Sequence, residues 1–266
     1  MKKFKFSYVY LGVILFIIYI PIILTIIYSF NESRISSIWG GFSLDWYLEL
    51  FSDDEIWEAL KNSIILATVS SFIGMSIGLM GALAISKDRN KVDGSIEYIS
   101  LLPIMIPEII LGMVFLALFS LVSLPLGMLT LVLAHVTFCV PYNYMLIKAR
   151  LAEQNGHIED AARDLGASPR DVFRDITLPF LKPAILSGMI LSFAMSFDDV
   201  IISVFVTGPT VNTLPIKIYT MIKTGVTPEI NALSTLMVGV IIIAMILLKA
   251  ISINKRKKEG YYEKIN

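Results

Sequence analysis

Six apolar runs of about 20 residues punctuate the chain, the length an α-helix needs to cross the hydrocarbon core of a bilayer. Their expected bounds are 8–30, 62–86, 98–122, 127–147, 183–206 and 232–251. The mean hydropathy of +0.74 is above that of a soluble domain of this length. The expected class is therefore an all-α membrane protein with six transmembrane helices, forming one domain over 1–266. Lys2, Lys3 and Lys5 precede the first run. That run is too long for a signal peptide and lacks a small-residue cleavage pattern, so it is read as a retained helix.

The charges set the orientation. With the N-terminus in the cytoplasm, the inner segments are 1–7, 87–97, 148–182 and 249–266. They hold 18 of the 22 Lys and Arg residues, and only Arg34, Lys61, Lys217 and Lys223 fall outside. This is a strong positive-inside bias, and it places both termini of a multi-pass membrane protein in the cytoplasm. The first outer loop carries Glu32, Asp45, Glu49, Asp53, Asp54, Glu55 and Glu58. They read either as a cation-attracting surface or as a solvated loop face. Cys139 stands alone, so no internal disulfide forms, and His135 and His157 are too few for a histidine metal site.

Within the second run, Ser70, Gly74, Gly78 and Ala82 recur every four residues and make a smooth stripe for close helix approach. The stripe suits a subunit contact or packing within the bundle. Pro103, Pro107 and Pro141 each remove a backbone donor and favour a kink. Bent helices are common where a pathway is lined, and also elsewhere.

The inner segment 148–182 is long for a bundle connection. Its sequence EDAARDLGASPRDVFRDITLPFLKPAI, residues 159–185, reads as two short helices. The first stops at Gly166. The second starts with Ser168 as N-cap, Pro169 at the first helical position and Asp171 closing a capping box. Val172, Phe173 and Ile176 form an apolar stripe, and Pro179 and Pro183 are expected to end the element before the fifth span. Such a helix pair calls for a partner, or lies on the membrane or its own bundle.

This segment resembles the EAA loop of the permease subunits of ABC importers. Asp160, Ala161 and Ala162 are followed by three residues, Gly166, nine residues, Ile176, one residue, and Leu178-Pro179. Asp160 replaces the usual Glu with a reach one methylene shorter, and the adjacent Glu159 is a substitute. The resemblance implies a type I ABC importer permease fold whose loop docks on a cytoplasmic ATPase dimer. Arg163, Arg170 and Arg174 are available for rim pairs. The chain has no G-x-x-x-x-G-K-[ST] loop. It is not expected to be an enzyme or to hold a cofactor, and ATP–Mg would be bound by the partner ATPase.

Asp198 and Asp199 sit in the fifth run, in FAMSFDDVIISVF. Charges within spans are costly and face a pathway or a partner. Neighbouring helical positions point about 100° apart, so both carboxylates reach one spot only if the helix unwinds locally. One reading has them bind a cationic substrate; another makes one of them a buried structural pair. A proteolytic dyad is excluded, because it needs two facing carboxylates from different elements. Glu108, after Pro107, joins an acidic lining or satisfies backbone freed by the prolines. Phe197, Tyr142 and Tyr144 are candidate aromatic linings for a cation.

SFDDVIISVFVTGP, LPIKIYTMIKTGVTPEINALST, AHVTFCVPYNYMLIKARL and LPIMIPEIILGM resemble permeases of the spermidine/putrescine importer type. That resemblance implies a polyamine cargo, a second permease subunit, and an extracytoplasmic polyamine-binding protein. The cargo would pass Asp198 and Asp199. No nucleic-acid partner is expected. The competing readings are a permease for another small amine or an organophosphonate, and a self-sufficient secondary transporter.

Overall fold

The computed structural model describes residues 2–34, 38–87, 94–154, 157–225 and 228–262. The described residues are helical apart from their connections and one isolated bridge between Asn31 and Phe42. The helices are α1 (Lys2–Tyr28), α2 (Asp45–Ser52), α3 (Asp54–Lys87), α4 (Gly94–Met105), α5 (Glu108–Leu121) and α6 (Met128–Ala152). They continue as α7 (His157–Asp164), α8 (Pro169–Val172), a π-helical turn (Phe173–Thr177), α9 (Leu178–Asp198), α10 (Ile201–Val206), α11 (Leu214–Thr224) and α12 (Pro228–Tyr262).

Four stretches among the described residues are long and apolar enough to cross a membrane: Tyr8–Tyr28, Asp54–Ser86, Met128–Ala152 and Pro169–Asp198. A fifth is a bent pair, Tyr98–Met105 with Glu108–Leu121. The sixth expected run, 232–251, falls within α12, whose shorter described apolar part is Pro228–Ile243. Parts of the basic inner segment 87–97 and of the basic tail lie outside the described residues.

The chain divides into two compact units, residues 1–54 with 220–266, and residues 55–219. In the first, α1 and α2 pack on α12. Buried Asn31 organises the connection after α1: its amide donates to the Ile38 carbonyl at 2.7 Å, and its own carbonyl accepts from the Trp46 indole at 2.6 Å.

In the second unit, α6 is the hub. It packs on α9, α4, α10 and α5. The small-residue stripe of α3 lies on α6, inside the chain's own bundle. A Cβ on Gly74 would stand 2.8 Å from Cys139 Cβ, and one on Gly78 would stand 2.8 Å from the backbone nitrogen of Tyr144. Ser70 and Ala82 are buried along the same stripe. The packing reading of the stripe thus holds for these four residues.

The third run departs furthest from a single span. Its two halves meet at 110°. Ile106 makes the last bond of the first half, to the Leu102 carbonyl. Pro107 has no N–H to continue the ladder, and it takes an extended ψ of 133° before α5 begins.

The fifth run is also rebuilt. Pro179 and Pro183 do not end the loop element; the helical path is continuous from Pro169 to Asp198. For Pro179 the reason lies in the π turn, where the Leu178 amide reaches back five residues to the Phe173 carbonyl. The wider turn relaxes the clash a proline ring makes with the carbonyl four residues earlier. At the other end the helix stops: Asp199 is extended, with ψ 125°, and α10 restarts at Ile201.

Candidate functional site

Both helix breaks open onto one cleft of about 480 Å³ in the second unit. Asp198, Asp199, Glu108 and Tyr142 all line it, with Phe138 and Met195 among its apolar walls. Carboxylates from two distant stretches of the sequence therefore line one cleft. The break at Pro107 starts α5 with Glu108, and the break at Asp199 ends α9 with Asp198. Glu108 stands at a helix N-terminus, where the backbone dipole favours an anion. Asp198 stands at a helix C-terminus, where the dipole disfavours one and a bound cation gains.

Asp199 differs from its neighbour. Its side chain is only 7 % exposed. Oδ2 accepts from the Ser203 backbone N–H at 2.8 Å and from the Ser203 hydroxyl at 2.7 Å. Oδ1 accepts from the Ile202 N–H at 3.3 Å. The carboxylate thus caps the restarted helix α10. The local unwinding that two adjacent acids need to reach one cleft is present.

The aromatic expectations separate. Tyr142 lines the cleft. Phe197 is not among the lining residues, and its ring stacks on Phe193 at 5.8 Å between centroids. Tyr144 does not line the cleft either. It is 3 % exposed and packs with Met75, Ala82, Ile147 and Leu181. Two positions after Tyr142 on a helix is about 200° around the axis, so the two rings cannot share a face.

His135 was missed as a site residue. It is fully buried, with Nδ1 2.7 Å from Ser196 Oγ, Nε2 3.0 Å from Ser203 Oγ, and Nε2 3.5 Å from Asp199 Oδ2. The fifth run holds no cation of its own, and this partner comes from α6. The signal was available: 135, 138 and 142 fall on one helical face, and Phe138 and Tyr142 line the cleft. No group of three or more His, Cys, Asp or Glu side chains among the described residues is arranged to hold a metal.

At the other end of α9 lies the loop. Ser168 and Asp171 form a reciprocal capping box, and Gly166 takes φ +89°, ending the first helix. Asp160, Ala161 and Gly166 are exposed, while Ala162, Ile176 and Leu178 are half-buried and Pro179 is exposed. Asp160 and Glu159 face different surroundings. Glu159 turns to its own bundle, accepting from the Thr177 hydroxyl at 2.7 Å and the Gln154 amide at 2.9 Å. Arg163 lies 3.6 Å from the same carboxylate, and Arg174 bonds Asp175.

The apolar stripe also turns inward. Val172 is 2 % exposed, and Phe173 and Ile176 are half-buried. The apolar groups presented to solvent are Leu165, 89 % exposed, and Ile158, 55 % exposed. The Arg150 guanidinium lies 4.0 Å from the Phe180 ring centroid and donates to the Phe180 carbonyl, tying the end of α6 to the start of α9.

Comparison with known proteins agrees with this architecture. A crystallised bacterial ABC transporter involved in the import of the acidic polysaccharide alginate superposes with a TM-score of 0.69 at 18% identity, covering 93% of this chain and 94% of that one. The MetNI methionine ABC transporter, in inward-facing conformations, gives a TM-score of 0.61 at 18% identity over 76% of this chain and 96% of that one. In sequence, the spermidine/putrescine transport system permease protein PotC of Haemophilus influenzae is 38% identical over 255 residues, 96% of this chain and 99% of the relative. PotC of Escherichia coli K12 is 38% identical over 240 residues, covering 90% and 91%. The putrescine transport system permease protein PotI of the same organism is 39% identical over 231 residues, covering 84% and 82%. Residues 72–256 match the family described as "Binding-protein-dependent transport system inner membrane component", and the chain belongs to that family.

Proposed function

We propose that this permease carries polyamines, spermidine or putrescine, into the cytoplasm as one subunit of an ATP-driven importer. It acts as a single domain over 1–266 with six spans and both termini cytoplasmic, in the plasma membrane of a bacterium. Its partners are a second, related permease subunit, a cytoplasmic ATPase dimer and an extracytoplasmic polyamine-binding protein. The chain has no catalytic residue or cofactor of its own, and ATP–Mg belongs to the ATPase.

The observation that carries this reading is the convergence of Asp198, Glu108 and Asp199 on one cleft with Tyr142. A linear polyamine needs spaced anionic and aromatic contacts, each weak enough to release it. The similarity to spermidine/putrescine permeases over nearly the whole chain supports the same cargo class.

The mechanism follows from α9. The helical path from Pro169 to Asp198 has 30 residues, about 45 Å at 1.5 Å per residue. One end carries the coupling loop and the other carries the cleft acid. Exposed Asp160 and Leu165 present the loop to the ATPase, with Gly166 as its turn. Closure of the ATPases moves the loop, and the rigid helix conveys that movement to Asp198.

The test is uptake by the assembled complex in liposomes with its binding protein and ATP. Spermidine and putrescine are expected to be transported, and a tenfold excess of a neutral diol or an organophosphonate is expected not to compete. Transport of the phosphonate, or uptake without ATP, would overturn the reading.

A further inference from the structure

Three features of the buried polar cluster beside the cleft bear on how the site is held. First, His135 spans the break in the fifth run: Nδ1 meets Ser196 of α9 at 2.7 Å, and Nε2 meets Ser203 of α10 at 3.0 Å. Second, its members are buried, with His135 and Ser203 at 0 % exposure and Ser196 at 2 %. Third, the hydrogen bonds have a direction. An ionised Asp199 only accepts, so the Ser203 hydroxyl donates to it at 2.7 Å. The Ser203 oxygen then accepts from His135 Nε2–H, and Nδ1 pairs with the Ser196 hydroxyl. The chain runs from Ser196 through His135 and Ser203 to Asp199, and in it Nε2 carries a proton.

A second clamp holds the far end of α10. The Thr130 hydroxyl of α6 bonds the Val206 carbonyl at 2.8 Å. Thr130 and His135 stand five residues apart on α6 and together fix both ends of the short helix.

The geometry points to His135 as the positioning residue of this permease: by bridging α9 and α10 it commits Asp199 to capping α10, and so presents Asp198 as the acid that meets a cargo amine. This inference rests on the proposed cargo site. It assigns different work to two adjacent carboxylates. Asp199 shapes the break, and Asp198, exposed in the cleft, binds.

The experiment compares wild type, His135→Gln, His135→Leu and Asp198→Asn in the full liposome complex, with spermidine as the probe. Uptake and ATPase activity stimulated by the loaded binding protein are read together. Gln retains an amide N–H for Ser203, whereas Leu fills volume and leaves both serines without the ring. His135→Leu is expected to lower spermidine moved per ATP more than tenfold with stimulated ATPase within twofold of wild type. His135→Gln is expected to stay within threefold on both readouts. The inference is overturned if His135→Leu transports normally while Asp198→Asn fails. It is equally overturned if Gln and Leu lose uptake and ATPase in parallel, which marks a packing role. Normal transport by Asp198→Asn removes the cargo site itself, and the positioning role with it.

Discussion

Gly78→Leu is expected to leave almost no assembled permease. Even the first added carbon would stand 2.8 Å from Asn143 Cβ, 2.8 Å from the Tyr144 nitrogen and 3.1 Å from the Val140 carbonyl oxygen. Two of these three are backbone atoms of α6, the hub of its unit, so no rotamer change relieves the contact. Overpacking of this kind costs about 1–3 kcal/mol for a methyl-sized addition and more for a larger side chain, against a total stability of about 5–15 kcal/mol. Gly81 supplies the control. A carbon there meets only Tyr144 Cδ2, at an ordinary 3.7 Å. Gly81→Ala is expected to be neutral or to gain up to about 1 kcal/mol from helix propensity, whereas Gly78→Ala loses. Thermal unfolding of the purified complex reads the difference, and equal losses at both positions would contradict the α3–α6 contact.

Ile190→Pro is expected to uncouple ATP hydrolysis from transport. Ile190 is 70 % exposed, so its side chain contributes little packing. A proline there removes a mid-helix bond and clashes with the Leu186 carbonyl, at a cost of about 3 kcal/mol with a kink. No π turn precedes this position as one precedes Pro179. The kink falls between the coupling loop and Asp198, so loop movement no longer reaches the cleft. Stimulated ATPase is expected to persist while uptake drops more than tenfold, and Ile190→Ala is expected to behave as wild type. Normal uptake by the proline variant would show that α9 does not carry the movement.

What was legible in the sequence was what local chemistry decides. Hydropathy located the apolar runs, and Ser168, Pro169, Asp171 and Gly166 announced the caps that the loop displays. Adjacent acids in an apolar run required an unwound turn, and one is there. Other features depend on tertiary context. Pro107 forecasts a kink but not its 110°, which goes with α4 packing on α6 while α5 packs chiefly on α10. Pro179 and Pro183 read as a stop, because a π turn has no local signature strong enough to forecast it. Val172 looked like a docking surface, yet in so apolar a chain its own bundle buries it first, leaving Leu165 outside. The role of His135 is not local either, because its partners lie 61 and 68 residues away.

The most direct test of the account is Asp198→Asn in the reconstituted complex, with polyamine uptake and stimulated ATPase measured side by side. The substitution keeps the shape and removes only the charge that the cleft offers a cation. The account predicts an assembled complex that hydrolyses ATP when the loaded binding protein docks and moves less than a tenth of the wild-type cargo. Uptake at the wild-type level would contradict it, placing the cargo path away from the cleft that both helix breaks open onto.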